Sequence, residues 1–212
     1  MSNPKSATVF QLDLETLGLS NNNAVVAQVG IDVVVLTNVD GKIISSPPEC
    51  IKTDLCISLS VVDQLKAGRT VDDAVIEWWM NQPREASSTV FGCHTLYKDA
   101  ARDIALFINA NFDRTSPDKM FLMSSDISLD VGNYRGILES NNLPIYFQYN
   151  RFPCFRTIRE IYGKDNIPKD LAGGVKHNAL ADAKWQNAAL LHMLNDTSNP
   201  ACNGIRRLLG IE

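Results

Sequence analysis

Residues 7–13 and 24–36 are runs of apolar and β-branched residues that read as β-strands, and Gly41 marks a turn into a third at 42–45. Three such runs in succession read as an antiparallel meander. The pattern then changes. Beyond the loop around Pro47 and Pro48, residues 59–66 read as a short helix with Ser60 as N-cap, and residues 71–80 as a helix capped by Thr70, with Asp72 and Asp73 suited to its first turn; Pro83 ends that run. Residues 98–112 carry Ile104, Phe107 and Ile108 at helical spacing and precede a strand at 120–124. Helices are expected over 131–141, 154–162 and, after the loop Ala172-Gly173-Gly174, over the alanine-rich 178–195, with one or two more turns beyond Pro200. Strands followed by alternating helices and a strand indicate an α/β fold: a mixed sheet, the three-strand meander plus parallel strands, flanked by helices.

A chain of 212 residues suits one core, so residues 1–212 are read as a single domain. The first residues are polar and lack the apolar segment of a signal peptide, and no stretch is long enough to span a bilayer, which leads to the expectation of a cytoplasmic protein with no membrane partner. The five cysteines, Cys50, Cys56, Cys93, Cys154 and Cys202, form no C-x-x-C pair and suit neither a disulfide framework nor a four-thiolate zinc site. A net charge of −4 argues against coating a duplex through a broad basic surface, while leaving room for a protein that grips only a strand end.

The first strand ends in Asp13-Leu14-Glu15-Thr16-Leu17-Gly18. Side chains alternate faces along a strand, so Asp13 and Glu15 project to one side while Leu12 and Leu14 face the other. Two like charges on one patch repel, and burying them is costly unless a cation neutralises them. A hard divalent ion is one remedy, and a solvated strand end is the other. The segment His177 to Lys184 offers a possible second half. Within one helix, residues five apart point about 140° apart. If His177 instead sits in the loop before the helix and Asp182 in its second turn, both can face one cleft, beside a helix N-terminus that favours anions. Either residue alone reads equally as ordinary helix-start chemistry.

D-L-E-T-L-G at 13–18 together with H-N-A-L-A-D-A at 177–183 resembles the first and last motifs of the DEDDh exonucleases, the ribonuclease H-like 3′-to-5′ exonuclease superfamily. Within it the chain looks most like a phage-type branch, exodeoxyribonuclease VIII-like or DexA-like. That branch shows G-R-x-x-x-D followed by W-W-x-x-Q, echoed by Gly68, Arg69, Asp73, Trp78, Trp79 and Gln82, and an R-T pair echoed by Arg156-Thr157. The resemblance spans roughly 8–195, leaving a short tail at 196–212. It implies a ribonuclease H-like fold and a middle aspartate, matched by Asp130 in Ser128-Leu129-Asp130, where leucine replaces the usual aromatic. Asp126 competes for that role, but Tyr134 and Ile137 follow Asp130 at helical spacing and favour it.

The resemblance further implies that Asp13, Glu15, Asp130 and Asp182 hold two Mg²⁺ or Mn²⁺ ions, with His177 as the general base for an attacking water. The substrate would be the 3′ end of a single-stranded nucleic acid, DNA ahead of RNA, and the product a nucleoside 5′-monophosphate. Thr16, Leu17 and Gly18 would approach the terminal nucleotide, and Arg156 and Lys184 would contact phosphate. The alternatives are an exoribonuclease trimming oligonucleotides, or an idle module that binds strand ends or a protein. Trp78 and Trp79 point about 100° apart on a helix, so at least one belongs to the core. His94 and His192 lack ligand partners at zinc spacing. Related exonucleases are sometimes dimers, and the tail at 206–209 would either dock on a partner copy or cap the core. A phage-encoded chain would work in its host's cytoplasm.

Overall fold

The structure, a computed structural model, describes residues 5–49, 52–91 and 94–212. Strand β1 (Ser6–Thr16) is central, antiparallel along its length to β2 (Val26–Val39) and parallel to β5 (Met120–Ser124). The fourteen residues of β2 hold two partners on its outer edge: β3 (Lys42–Ser46) against its C-terminal part and β4 (Asp54–Ser58) against its N-terminal part. The sheet is mixed and flanked by helices, as the sequence indicates, but its parallel component is smaller than expected. Among the described strands β1 and β5 form the one parallel pair, supplemented by isolated parallel bridges between Ala24 and Thr70, Leu59 and Thr95, and Ser124 and Cys154.

Two elements escaped the sequence reading. In β4, Leu55 and Ile57 alternate inward between more exposed neighbours, a half-buried strand too short to stand out beside the proline loop. Pro83 closes α2 (Asp73–Met80) but also opens α3 (Arg84–Phe91), its carbonyl accepting the N–H groups of Ala86 and Ser87. A proline is harmless at a helix start, where its missing donor would be unpaired anyway. The cap of α2 is Asp72 rather than Thr70: Asp72 Oδ1 accepts the Ala74 N–H at 3.0 Å, while Thr70 N–H bonds to Asn23. Helix α1 (Val61–Lys66) is capped by Ser60 as expected. The remaining helices are α4 (Tyr97–Asn111), α5 (Gly132–Ser140), α6 (Phe155–Tyr162), α7 (Ala179–Asn195) and α8 (Ala201–Leu208).

The alternation of β1 divides the core. Phe10, Leu12 and Leu14 pack with α4 and α5, while Ala7 and Val9 pack with α6, α7 and α8. Continuing the second face along β1 gives Gln11, Asp13 and Glu15, so the acidic end of the strand looks at α7. Helix α7 lies close enough that Gly30, opposite Asp13 on β2, has no room for a side chain: a Cβ there would stand 2.1 Å from the Ala179 carbonyl carbon. The packing also runs past residue 195. Ile205, Leu209 and Ile211 are buried in this core, and the buried Arg206 donates to the carbonyls of Leu194 and Gly41 at 2.9 Å each. Within the tail at 206–209, Arg206 and Leu209 pack on this core while Arg207 and Leu208 stay exposed.

Candidate active site

Glu15 is 8% exposed and lies opposite Gln28 of β2, just before a bulge between Glu15 and Thr16. Gln28 accepts the Ala179 N–H at 2.8 Å, which ties the start of α7 to the same end of the sheet. Asn178 caps α7, its Oδ1 accepting from Ala181 N–H, and the first two turns then present Asp182 and Gln186 to β1. Gln186 Nε2 donates to Asp13 Oδ1 at 2.8 Å, and its own Oε1 accepts from the fully buried Gln11. Asp182 Oδ2 accepts the His177 N–H at 3.1 Å. Glu15, His177 and Asp182 each offer one ligand atom within 4.8 Å of the others.

The fourth carboxylate comes from a π-helical turn, Ile127–Val131, after β5. Asp126 caps that turn: its Oδ1 accepts from the N–H groups of Ser128 and Leu129 at 3.0 Å, and its other oxygen faces Arg156 at 3.5 Å. Asp130 points the other way, 5% exposed, with Oδ2 accepting the Asp126 N–H at 3.0 Å. Its charge acts on both Asp13 and Glu15. Asn133 holds the turn, donating to Leu129 O at 2.9 Å and to Ser20 O at 2.7 Å while accepting from Arg69 at 2.8 Å. Gly132 lets the loop after β1 lie against α5, since a Cβ there would stand 1.9 Å from Asn21 O. The Gly68-Arg69 motif is thus structural; the buried Arg69 also donates to Ala24 O.

Four carboxylates in one poorly solvated cleft cannot all ionise freely. Burial is the leading cause in every case. It pushes Glu15 to about 8, with Asp182 and Asp130 adding to the rise, and Asp130 to about 7. Asp13 stands well above the usual carboxylate range, raised further by Asp130, Glu15 and Asp182 and lowered by Gln186. Asp182 is raised as well, against an opposing pull from the His177 N–H. Asp126 is the contrast: the Leu129 N–H holds it below the ordinary value. Carboxylate oxygens carrying this excess of negative charge fit a hard divalent cation, with a His177 ring nitrogen in reach of Glu15 and Asp182.

His177 occupies the left-handed region, φ 61°, in the turn before α7. Its ring meets Trp78 at 5.0 Å between centroids with an 89° interplanar angle, and Trp79 at 6.1 Å and 83°. The tryptophans divide as their positions on a helix require. Trp79 is buried and donates its Nε1–H to Thr16 O at 2.9 Å, whereas Trp78 is 44% exposed.

Of the expected substrate contacts, Leu17 points elsewhere. It is 1% exposed, packed with Val25, Ala27 and Trp79, because the bulge after Glu15 turns it into the core; the apolar side chain on the surface of this loop is Leu19. Thr16 is buried, its hydroxyl donating to Gly18 O at 3.0 Å, and Gly18 abuts Thr70. Lys184 also differs from expectation: two residues before Gln186, it projects about 200° away from it around α7 and pairs with Asp54 of β4. Arg156 remains 58% exposed at the rim beside Asp126. His192 bonds to Tyr162 OH at 3.3 Å, outside the cleft, and His94 is half-buried beside residue 93; Cys50 and Cys93 lie outside the described residues. Gln186 was missed, although its place four residues after Asp182 puts both on one helix face.

The family model described as "3'-5' exoribonuclease Rv2179c-like domain" matches residues 8–194. No curated protein matches the sequence. Among solved structures the chain is similar to cell-death related nuclease 4 (CRN-4), with TM-score 0.54 and 15% identity over 90% of this chain and 64% of that one. It is similar to exonuclease I, with TM-score 0.57 and 13% identity over 96% of this chain and 42% of that one. A further match is E. coli exonuclease I in complex with a dA16 oligonucleotide, with TM-score 0.55 and 13% identity over the same shares. The chain therefore spans less than two thirds of the length of these neighbours, and at such identities the likeness speaks for the ribonuclease H-like fold. The sequence match, which takes in most of β1 and of α7, goes further: this chain belongs to the Rv2179c-like 3′-to-5′ exoribonuclease domain family.

Proposed function

We propose that the chain is a metal-dependent 3′-to-5′ exonuclease that hydrolyses the terminal phosphodiester of a single-stranded nucleic acid and releases nucleoside 5′-monophosphates. The observation that carries this reading is the convergence of Asp13, Glu15, Asp130 and Asp182 from β1, the turn after β5 and α7, with His177 beside them. These four carboxylates would hold two Mg²⁺ or Mn²⁺ ions. When bound, such ions supply charge neutralisation at the phosphate and an acidified water. His177 accepts the proton of the attacking water at its imidazole, held in place by the two tryptophans. Gln186 orients Asp13 by donating to one of its oxygens. Arg156, exposed at the rim, contacts phosphate, and the backbone from Thr16 to Gly18 approaches the terminal sugar, with Leu19 supplying the apolar surface for its base.

DNA is the favoured substrate on the resemblance to the phage-type exodeoxyribonuclease VIII-like branch, and a structural neighbour, E. coli exonuclease I, is described in complex with an oligonucleotide, dA16. RNA is the second reading, favoured by the family description as an exoribonuclease domain. Among the described residues no helix is long and apolar enough to cross a membrane, and a cytoplasmic site of action goes with this reading. The test is hydrolysis of matched 5′-labelled DNA and RNA oligonucleotides with Mg²⁺ or Mn²⁺. A ladder shortened from the 3′ end, lost in Asp182→Asn and His177→Ala, is expected. Absence of any ladder with either metal, or undiminished cleavage by Asp182→Asn, would sink the proposal.

A further inference from the structure

Beside the carboxylate cleft, on the outer side of the π-helical turn, lies a cavity of about 570 Å³ bounded by Asn21, Asn22, Ser128, Arg135, Tyr149 and Phe152. We infer that this groove holds the single strand upstream of the scissile end, with a base stacked on Tyr149. The inference rests on the exonuclease reading above and extends it from the terminal nucleotide to the strand behind it.

Continuity of position is the first argument. Ser128 and Val131, on either side of Asp130 in one turn, line the groove, while the Asp130 carboxylate faces the cleft. A strand whose terminal phosphodiester reaches Asp130 has this groove as its neighbour. Chemistry is the second. Tyr149 is 91% exposed, well above the other exposed aromatics, Trp78 at 44% and Phe91 at 49%. A ring so placed contributes nothing to the core but offers a face to a base, and every base has a face to give. Phe152, half-buried, packs against Phe147 at 6.3 Å and provides a firm apolar floor. Asn21 and Asn22 offer exposed side-chain amides, and the Arg135 guanidinium is half exposed while paired to Glu139 at 3.1 Å. These are donors for phosphate oxygens without a broad basic surface. Rigidity is the third: the Asn21 and Asn22 backbone rests directly on Gly132 and Gly136 of α5, so the groove is preformed.

The test measures binding of 5′-fluorescein oligonucleotides, DNA and RNA, from dinucleotide to hexanucleotide, by anisotropy with Ca²⁺ in place of Mg²⁺, alongside hydrolysis with Mg²⁺. Tyr149→Ala is expected to weaken binding of the longer strands about tenfold while leaving the dinucleotide unchanged, and Tyr149→Phe to behave as the parent. Equal affinities of parent and Tyr149→Ala at every length would overturn the inference, as would an equal loss on the dinucleotide, which would place Tyr149 at the terminal nucleotide. Should the parent fail to hydrolyse any strand yet show the length-dependent loss with Tyr149→Ala, the exonuclease reading falls and the groove stands.

Discussion

The Trp78 indole and the His177 imidazole meet edge to face, with centroids 5.0 Å apart across nearly a hundred residues of sequence. Because His177 sits in a left-handed turn just ahead of α7, packing against this ring orients it. Trp78→Ala is predicted to lower turnover by one to two orders of magnitude, on the scale of a misplaced catalytic group, with KM and thermal midpoint little changed. Trp79→Ala removes a contact to His177 as well, and by emptying a core site should in addition cost about 3–5 kcal/mol of stability. Steady-state kinetics and denaturant unfolding of the two variants would separate the roles; equal stability losses would remove the distinction.

Without a divalent cation, the raised carboxylates make stability fall as pH rises. Glu15 at about 8 and Asp130 at about 7 keep protons in the folded protein that the unfolded chain releases near its ordinary values of 4.5 and 3.8. Folded protein thus binds more protons than unfolded protein between roughly pH 4 and 8, and the stability present at the acidic end is lost through that window. The melting midpoint in chelator should decline from about pH 5 to about pH 8, and added Mn²⁺ should flatten the decline. A midpoint that rises with pH in chelator would contradict the picture.

Gln186→Leu keeps approximate bulk but removes the donor to Asp13 Oδ1 and the acceptor for Gln11. Divalent-ion affinity, read by calorimetry with Mn²⁺, should drop about ten- to a hundredfold, as when a group orienting a ligand is lost. The orphaned Gln11 amide adds a stability loss of about 1–3 kcal/mol. Unchanged affinity would show that Asp13 needs no such partner.

Gly30→Ala places a methyl 2.1 Å from the Ala179 carbonyl carbon, so α7 must lift from β2 and carry Asp182 with it. Stability should fall by about 1–3 kcal/mol or more from overpacking, and ion affinity should fall with it. A variant that is destabilised but binds Mn²⁺ normally would show that the two are not linked through α7.

Much of the fold was legible because its signals are local. Strand β5 was read to its residue limits, and Ser60 was recognised as a cap, since apolar runs and capping side chains act over a few neighbours. The misses have physical causes too. Pro83 both ends one helix and starts another, and β4 is five residues long. Beyond the β1 and β5 pair, parallel pairing among the described residues comes down to isolated bridges at Ala24 and Thr70, Leu59 and Thr95, and Ser124 and Cys154.

At the cleft, residue order is enough to put Asp13 and Glu15 on one strand face and His177 ahead of a helix carrying Asp182, because strand alternation and helix capping are properties of the local chain. Which carboxylates and rings point inward is set by long-range packing. Asp126 spends Oδ1 on the N–H groups of its own turn and turns Oδ2 to Arg156 while the charge of Asp130 acts on Glu15, Leu17 fills the core where Leu19 stays outside, and Lys184 is drawn to Asp54. Each of these outcomes depends on what packs against a residue from far along the chain, which residue spacing does not encode.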